Sequence, residues 1–458
     1  MPALFLPCAG GVETLLADEV LRITGSTAET TRGGVWVEGD QRSAMQLNLE
    51  SRLATRVLWP LVDGLYRDEH DLYELARRVP WGDWITPEQT LRVDVSAGRG
   101  KFGSPLQSLN FSALRIKDAV CDTLRESTGA RPSVDTRHPD LPIALFVGPE
   151  HATLYVDTSG DALFKRGWRE DTGEAPLKET LAAALLAAAG WHGRAEDGPL
   201  FDPCCGAGTI AIEAAQIACG VAPGALRHFA FERLLPFRPH LAAWRELKAA
   251  AQARIHASAV PIFAGDVSFR MTDFATRNAE RAGVKAAIEF KTADVLQRPP
   301  PVAAGSIVMN PPYGERMSAK GSHAVGERLS AKGSHAVGER LSAKGSHAMG
   351  ERLSAKDSDA VDERIAVQGQ GTMAAREGFE GGDSSAEFFG KLASHWKRQF
   401  PGWTAWLLSP DMKLPSLMRL KENRRVPLWN GGIECRLFRF ELVAGSNKAA
   451  PAAPSAED

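Results

Sequence analysis

Residues 200–209 read LFDPCCGAGT, a short apolar run that ends in an acid and continues into a turn with two glycines. The stretch 210–219 that follows predicts a helix. Glycines let the backbone turn tightly and approach a ligand, and the helix N–H groups then face a polar or anionic group. A plain tight turn explains a single GxG equally well. The dinucleotide-binding pattern G-x-G-x-x-G is excluded, because Ala211 occupies the third glycine position.

Similar short apolar runs predict three further strands, separated from one another by helical stretches. The predicted strands are 200–202, 262–266, 288–290 and 306–309, and a helix at 176–189, ended by Gly190, precedes them. Alternating strands and helices indicate an α/β fold with a parallel, doubly wound sheet. Because such sheets bind ligands at the carboxyl ends of their strands, the residues after these four strands are the functional candidates.

Two acids follow the second and third predicted strands. Asp266 ends one strand, where a carboxylate can accept hydrogen bonds from two ribose hydroxyls, and Asp294 follows the next, where it can accept one from an adenine amine. Taken alone, each is better explained as an ordinary loop aspartate. Their order on successive strand ends, after the glycine turn, makes them candidate ligands of one nucleoside.

The sequence NPPYG at 310–314 follows the fourth predicted strand. The prolines Pro311 and Pro312 hold the backbone extended and offer no N–H groups for competing hydrogen bonds. Their carbonyls and the Asn310 amide oxygen can accept the hydrogens of a planar exocyclic amine, and the Tyr313 ring can stack on its base. The pattern therefore predicts a site that aims an amine lone pair at an electrophile.

Together these motifs resemble those of class I S-adenosylmethionine-dependent methyltransferases that methylate exocyclic amines. KRGWR at 165–169 and APLKETLAAALL at 175–186 are similar to the linker and first helix of one subgroup, and residues 1–158 resemble its ferredoxin-like and THUMP module. That subgroup comprises the guanine-N2-methyltransferases of large-subunit (23S) ribosomal RNA that carry a THUMP domain. The resemblance covers residues 1–317 and 384–440.

The resemblance implies a Rossmann-like methyltransferase domain, with S-adenosylmethionine as cofactor, behind an α+β ferredoxin-like/THUMP module that binds RNA. It places Asp266 on the ribose and Asp294 on the adenine. The cofactor's methionine part would be lined by the turn residues Asp202, Cys204, Gly206 and Gly208, and the guanine would be held by Asn310, Pro311, Pro312 and Tyr313. A cytosine-C5 nucleophile is not expected at Cys204, because this thiol belongs to the cofactor turn rather than under the base. No metal site is predicted.

The domain boundaries predicted from these motifs are 1–43 for the ferredoxin-like part, 44–158 for the THUMP domain and 159–445 for the methyltransferase domain. A hairpin at 143–147 and 153–156 and the preceding strands and helices favour two small layers in the N-terminal module rather than one large sheet. Since the chain has one glycine motif and one NPPY sequence, a second, fused 7-methylguanine-forming methyltransferase is not expected and only the N2 activity is inferred.

A 12-residue repeat interrupts the predicted methyltransferase domain. SAKGSHAVGERL at 318–329 recurs at 330–341, again with one Val→Met change at 342–353, and in degraded form at 354–365. Each intact copy has two glycines and only two sizeable apolar residues, so stacked copies would bury little surface. We therefore interpret 318–383 as a mostly disordered insertion and 446–458 as a disordered tail.

Charge is distributed unevenly along the chain. The whole protein has 54 Lys+Arg and 56 Asp+Glu, residues 1–158 have 16 and 22, and residues 391–439 have 10 and 3. The basic C-terminal stretch, with Trp429 expected nearby for stacking, favours contact with RNA phosphates. The candidate RNA-binding residues are Arg99, Lys101, Arg115 and Lys117 in the module and Lys421, Arg424 and Arg425 in the C-terminal stretch.

Composition and the motifs together lead to expectations about the location of the protein in the cell and about its substrate. No apolar run reaches the ~18 residues of a membrane span, no secretory signal is evident, and the six cysteines include no CxxC pair. A cytoplasmic, monomeric protein acting on 23S rRNA or a large-subunit precursor is expected. The alternatives are an N-methyltransferase for another RNA such as tRNA, for DNA adenine N6 or for a protein glutamine, or a catalytically idle RNA-binding or assembly protein.

Overall fold

The structure is a computed structural model of the 458-residue chain, and it describes residues 3–98, 103–106, 108–173, 176–311 and 382–443. The predicted tail and nearly all of the predicted insertion lie outside these residues. Residues 382 and 383, which the sequence assigned to the insertion, instead begin a helix.

The N-terminal module is an α+β unit, and three of its four described α-helices begin at polar caps. Asp40, for example, accepts a hydrogen bond from the Ser43 N–H, and Ser108 accepts one from the Phe111 N–H. The elements are β1 Ala3–Pro7, α1 Glu13–Thr24, β2 Ala28–Thr31, β3 Gly34–Glu38, α2 Gln41–Glu50, β4 Leu58–Leu65, α3 Glu69–Arg77, β5 Thr90–Ala97, α4 Leu109–Thr128, β6 Ser133–Val134, β7 Leu141–Val147 and β8 His151–Asp157.

All the strands of this module belong to one eight-stranded sheet in the order β2-β3-β1-β4-β8-β7-β5-β6. The expectation of two small layers is therefore wrong. The strands β2-β3-β1 and β4-β8-β7-β5-β6 are joined by a short pairing, in which Phe5 of β1 lies opposite Leu58 of β4. Strand β4 was not predicted from the sequence. It pairs with β8 along its length and with β1 at one residue, and so joins the two groups of strands.

The C-terminal domain contains a seven-stranded sheet in the order β11-β10-β9-β12-β13-β15-β14. The four predicted strands are parallel to one another, and β13 adds a fifth parallel strand that was not predicted. Strand β15 runs antiparallel to β13 and β14, a further addition that the sequence did not reveal. The elements are α5 Glu179–Ala189, β9 Leu200–Asp202, α6 Thr209–Ala218, α7 Leu241–Ala253, β10 Ile262–Asp266, α8 Phe269–Arg281, β11 Ile288–Thr292, β12 Ser306–Met309, α9 Gly382–Gln399, β13 Thr404–Ser409, α10 Leu414–Met418, β14 Arg424–Asn430 and β15 Ile433–Glu441.

Helices cover both faces of this second sheet. On one face the buried side chains of α5, α6 and α8 form a core that continues into the N-terminal module, from Leu185 to Leu6 and Leu154. On the other face α9 and α10 pack around Trp396 and Leu414. Because one core runs through both parts, the module and the domain are packed as a unit. No helix among the described residues is both long and apolar enough to cross a membrane.

Two polar contacts add to this interdomain core. Glu213 on α6, completely buried, accepts hydrogen bonds from Arg166 (3.1 Å) and from Arg52 of the N-terminal module (3.2 Å). At the other end, the β14–β15 hairpin reaches the loop after β1, where the Trp429 N–H donates to the Gly10 carbonyl oxygen. The side chain of Trp429 lies directly over Gly10, since a Cβ there would come within 3.0 Å of the ring.

Candidate active site

The turn between β9 and α6 is shaped by its glycines and by α8. Gly206 and Gly208 have φ values of +52° and +89°, which side chains with a Cβ rarely adopt. A Cβ at Gly208 would lie 2.9 Å from the Cβ of Ala275 on α8, whereas one at Gly206 would meet no described atom within 4 Å. Asn278, also on α8, donates to the Ala207 carbonyl oxygen at 3.1 Å. The turn is thus fixed from behind and open beside Gly206.

Asp202, at the end of β9, is the least satisfied group of the site. It is 1% exposed, and neither carboxylate oxygen accepts a hydrogen bond from a residue that the structure describes. Burial raises its pKa well above the usual range, and the negative charge of Asp266 adds to this shift. An ionised carboxylate in this place needs a positive partner, which a cationic ligand would supply.

Asp266 connects the neighbouring strand β10 to the same turn. Its Oδ2 accepts a hydrogen bond from the Gly206 N–H at 3.1 Å, and its Oδ1 accepts one from the Ser268 N–H at 2.9 Å. The Cys205 N–H donates to the Gly265 carbonyl oxygen at 2.8 Å. The predicted meeting of the glycine turn and this acid is therefore present.

The third acid lies two residues beyond β11. Asp294 accepts hydrogen bonds from the Leu296 N–H (2.9 Å) and from the side-chain amide of Gln297 (3.3 Å). It borders an open cavity of about 640 Å³ between this loop and α9. Since β11 is next to β10, the three acids end three adjacent strands.

Asn310 and Pro311 follow β12, which pairs with β9 on the side away from β10. Pro311 is buried and Asn310 is half-buried. The other two residues of the predicted guanine site, Pro312 and Tyr313, lie outside the described residues. The structure therefore brings the four predicted strand ends together in the order β11, β10, β9 and β12.

The two cysteines of the turn differ in burial, since Cys205 is buried and Cys204 is half-buried. Burial, together with the negative charges of Asp202 and Asp266, raises the pKa of both Cys204 and Cys205 far above the usual thiol value. A thiol is a nucleophile only as the thiolate, and a raised pKa disfavours that form. This agrees with the placement of Cys204 in a cofactor turn.

Two residues that the sequence reading did not select hold the site from outside. Asn278 supports the turn from α8, and Arg169 donates from Nη2 to the Thr209 hydroxyl at 2.8 Å and from Nε to Glu179 at 2.6 Å. No local pattern identifies Asn278, because it acts across 71 residues of chain. Arg169 ends the KRGWR sequence. Because this sequence lies just before the first predicted helix, its position could have identified Arg169 as a candidate site residue.

Of the candidate RNA-binding residues in the module, Arg115 and Lys117 are described, and Arg99 and Lys101 lie outside the described residues. Both described side chains lie on α4 and contact Asp118, at 3.8 Å and 2.6 Å respectively. Arg115 also lies over the Tyr73 ring, 4.5 Å from its centroid. Two exposed apolar side chains, Phe111 and Leu114, also lie on this helix.

The C-terminal candidates Lys421, Arg424 and Arg425 are exposed at the start of β14. Arg425 forms an ion pair with Glu422. The ring of Trp429 is half-buried and lies over Gly10 of the N-terminal module, and its stacking on RNA stays a prediction. It also lies five residues further along β14, roughly 16 Å away at the usual rise of a strand.

Three family models match consecutive parts of the chain. The RlmL ferredoxin-like domain matches residues 3–58, the THUMP domain matches residues 66–157, and the RMKL-like methyltransferase domain matches residues 166–354. Together they cover the N-terminal module and the strand ends with Asp202, Asp266, Asp294 and Asn310, whereas α9 and the elements after it lie beyond the matched residues.

Solved structures with the same architecture extend over almost the whole chain. A possible methylase from Clostridium difficile 630 is 26% identical and has a TM-score of 0.74, with 98% of this chain and 100% of that chain covered. A predicted N6-adenine-specific DNA methylase from Listeria monocytogenes is 24% identical (TM-score 0.71, 96% of each chain), and SMU.472, solved in complex with SAH, is 22% identical (TM-score 0.72, 96% and 98%). In this series of domains the chain matches the RlmL-type THUMP methyltransferases, and its methyl donor is S-adenosylmethionine.

Proposed function

We propose that this protein transfers a methyl group from S-adenosylmethionine to the exocyclic N2 amine of a guanine in 23S rRNA, either as free RNA or in a large-subunit precursor. The observation that carries the methyl-transfer part is the buried carboxylate of Asp202, which has no partner among the described residues and ends the central strand of the site. The N-terminal THUMP domain supports an RNA acceptor.

The residues of the site fit this cofactor. S-adenosylmethionine, when bound, supplies an electrophilic methyl group on a positively charged sulfonium. Asp202 would balance the positive charge of its methionine part, beside the open turn at Gly206. Asp266 would accept hydrogen bonds from the ribose and Asp294 from the adenine, as their order on adjacent strands suggests.

Asn310 and Pro311 would hold the amine that receives the methyl group. An exocyclic guanine nitrogen is a poor nucleophile because its lone pair is delocalised into the base. When the Asn310 side-chain oxygen and a proline carbonyl accept its two hydrogens, the nitrogen is oriented and its lone pair is directed at the methyl carbon. The rate then comes mainly from positioning, and the extra proton can leave to water after transfer.

The acceptor distinguishes this proposal from its alternatives. The Listeria monocytogenes protein is described as a predicted N6-adenine-specific DNA methylase. A protein glutamine and the bases of another RNA also have planar NH2 groups that could accept a methyl group. A module with a THUMP domain packed on the catalytic domain has a role only when the substrate is RNA. The large-subunit RNA and the guanine N2 atom are taken from the motif resemblance.

The test is transfer of labelled methyl groups from S-adenosylmethionine to 23S rRNA that lacks modifications. Label recovered as N2-methylguanosine after nuclease digestion is the expected result. Absence of label in RNA, label in DNA adenine, or label that protease treatment removes would refute the proposal. In the same assay Asn310→Ala should lower turnover by about 10²–10³-fold while cofactor affinity, measured by calorimetry, stays unchanged; unchanged turnover would remove Asn310 from the mechanism.

A further inference from the structure

Arg169, next to the first residue of α6, has a hydrogen-bonding edge without a partner among the described residues. Its Nε donates to Glu179 at 2.6 Å and its Nη2 donates to the Thr209 hydroxyl at 2.8 Å. Its Nη1 is buried and has no partner among the described residues. The guanidinium lies over the Trp168 ring, 4.9 Å from the centroid, which fixes its plane. Because a buried donor without a partner is costly, this edge indicates a ligand acceptor.

The position of Arg169 specifies the charge of that acceptor. Thr209 is the first residue of the ten-residue helix α6, and the first N–H groups of a helix carry partial positive charge without an intrahelical partner. Arg169 adds a full positive charge at the same place. Glu179 already neutralises part of it through Nε, but it does not reach the Nη1 edge. An anion with planar geometry, such as a carboxylate, matches both groups.

The opposite charge is nearby on the same turn. Asp202 precedes the glycines and has two unpartnered, buried carboxylate oxygens, whereas Arg169 contacts the residue just after them. The turn therefore has an anion at its start and a cation at its end. The amino-acid end of S-adenosylmethionine has the complementary pair, an ammonium group and a carboxylate on one carbon.

We propose that Arg169 binds the α-carboxylate of S-adenosylmethionine through its free Nη1 edge, with the N-terminus of α6 beside it, while Asp202 takes the ammonium group. This inference rests on the proposed methyl-transfer function. It makes Arg169 a specificity-determining residue: the site selects cofactors that retain the complete amino-acid end. The role of Glu179 is then to hold the guanidinium against Thr209.

The test compares two ligands that differ only in the carboxylate. S-adenosylmethionine and decarboxylated S-adenosylmethionine are titrated calorimetrically into the full chain and into its variants. Arg169→Met should weaken S-adenosylmethionine binding by about 10–100-fold, the usual effect of losing a hydrogen bond between charged groups, and should leave binding of the decarboxylated ligand within about threefold. Arg169→Lys, which keeps the charge but not the fork, should fall between these variants.

Matched variants separate ligand binding from folding. Since Arg169→Met alone leaves the buried Glu179 unpaired, the double variant Arg169→Met/Glu179→Gln removes both charges and should show the same ligand selectivity. Arg277→Ala, which removes a half-exposed arginine paired with Asp171 and Asp273, should bind both ligands as the native chain does. Equal weakening of both ligands by the Arg169 variants, or unchanged binding of S-adenosylmethionine, would overturn the inference. A native chain that binds neither ligand would refute the proposed function itself.

Discussion

Removing the carboxylate of Glu213 should destabilise the protein far more than removing an exposed charge at the same interface. Glu213 is 0% exposed and accepts hydrogen bonds from Arg166, whose side chain is 1% exposed, and from Arg52, whose side chain is 15% exposed. Burial already lowers the pKa of Arg52, and Glu213 counteracts this shift. Glu213→Ala leaves two guanidinium groups without their shared counter-charge. A buried pair broken in this way costs about 3–5 kcal/mol.

The pair between Arg233 and Asp140 is the control, because it joins the same two parts of the chain at the surface. Its distance is 3.2 Å and its side chains are 57% and 23% exposed, so Arg233→Ala should cost about 0–1 kcal/mol. The assay is equilibrium unfolding in urea, followed by tryptophan fluorescence. A loss below about 1 kcal/mol for Glu213→Ala, or equal losses for the two variants, would refute the argument that burial makes this network stabilising.

Three further predictions concern the turn, the interdomain contact and the repeat. Because burial raises the pKa of Asp202, its carboxyl keeps a proton above the ordinary carboxylate range and releases it when a cation binds, so the affinity for S-adenosylmethionine should increase with pH. Calorimetry should show this dependence in the native chain and a weak, pH-independent affinity in Asp202→Asn. A flat pH profile of the native chain would contradict the prediction. Gly11→Ala should lower the stability to thermal unfolding by about 3 kcal/mol or more, since Gly11 has φ +81° and a Cβ there would lie 2.2 Å from the Pro427 carbonyl oxygen. Gly25→Ala, at φ +74° with nothing within 4 Å of the new Cβ, should cost only about 1–2 kcal/mol. Equal losses of stability in the two variants would show that the contact at Gly11 is not tight. Deletion of residues 318–365 should leave methylation intact, and loss of RNA methylation in that variant would mean that the repeat is required.

Sequence reasoning predicted the row of strand ends because the signals for it are local. Each of Asp202, Asp266 and Asn310 ends or directly follows a short apolar run, and parallel strands bring such positions to one edge of the sheet. The one geometric assumption, that consecutive βα units stay adjacent, holds for β9, β10 and β11. The order of the site could therefore be inferred without any distance.

The features that the sequence did not reveal all depend on contacts between distant segments. Arg169 finds Thr209 forty residues away, and Trp429 packs on Gly10 from the far end of the chain. Neither contact leaves a periodic pattern. The same holds for the single pair of Phe5 with Leu58, which merges two predicted layers into one sheet. Composition likewise gives no sign that the ring of Trp429 contacts Gly10.

The contact between the Gly10 loop and Trp429 also has a consequence for synthesis on the ribosome. The two residues are 419 positions apart, so at the usual 5–20 residues per second the N-terminal loop emerges roughly 20–80 s before its partner strand exists. During that interval the module can fold on its own sheet, but the surface that receives the β14–β15 hairpin stays bare. The relative orientation of substrate-binding and catalytic parts is therefore completed late, and a nascent chain stalled within the repeat would present a folded module that is not yet fastened to its catalytic partner.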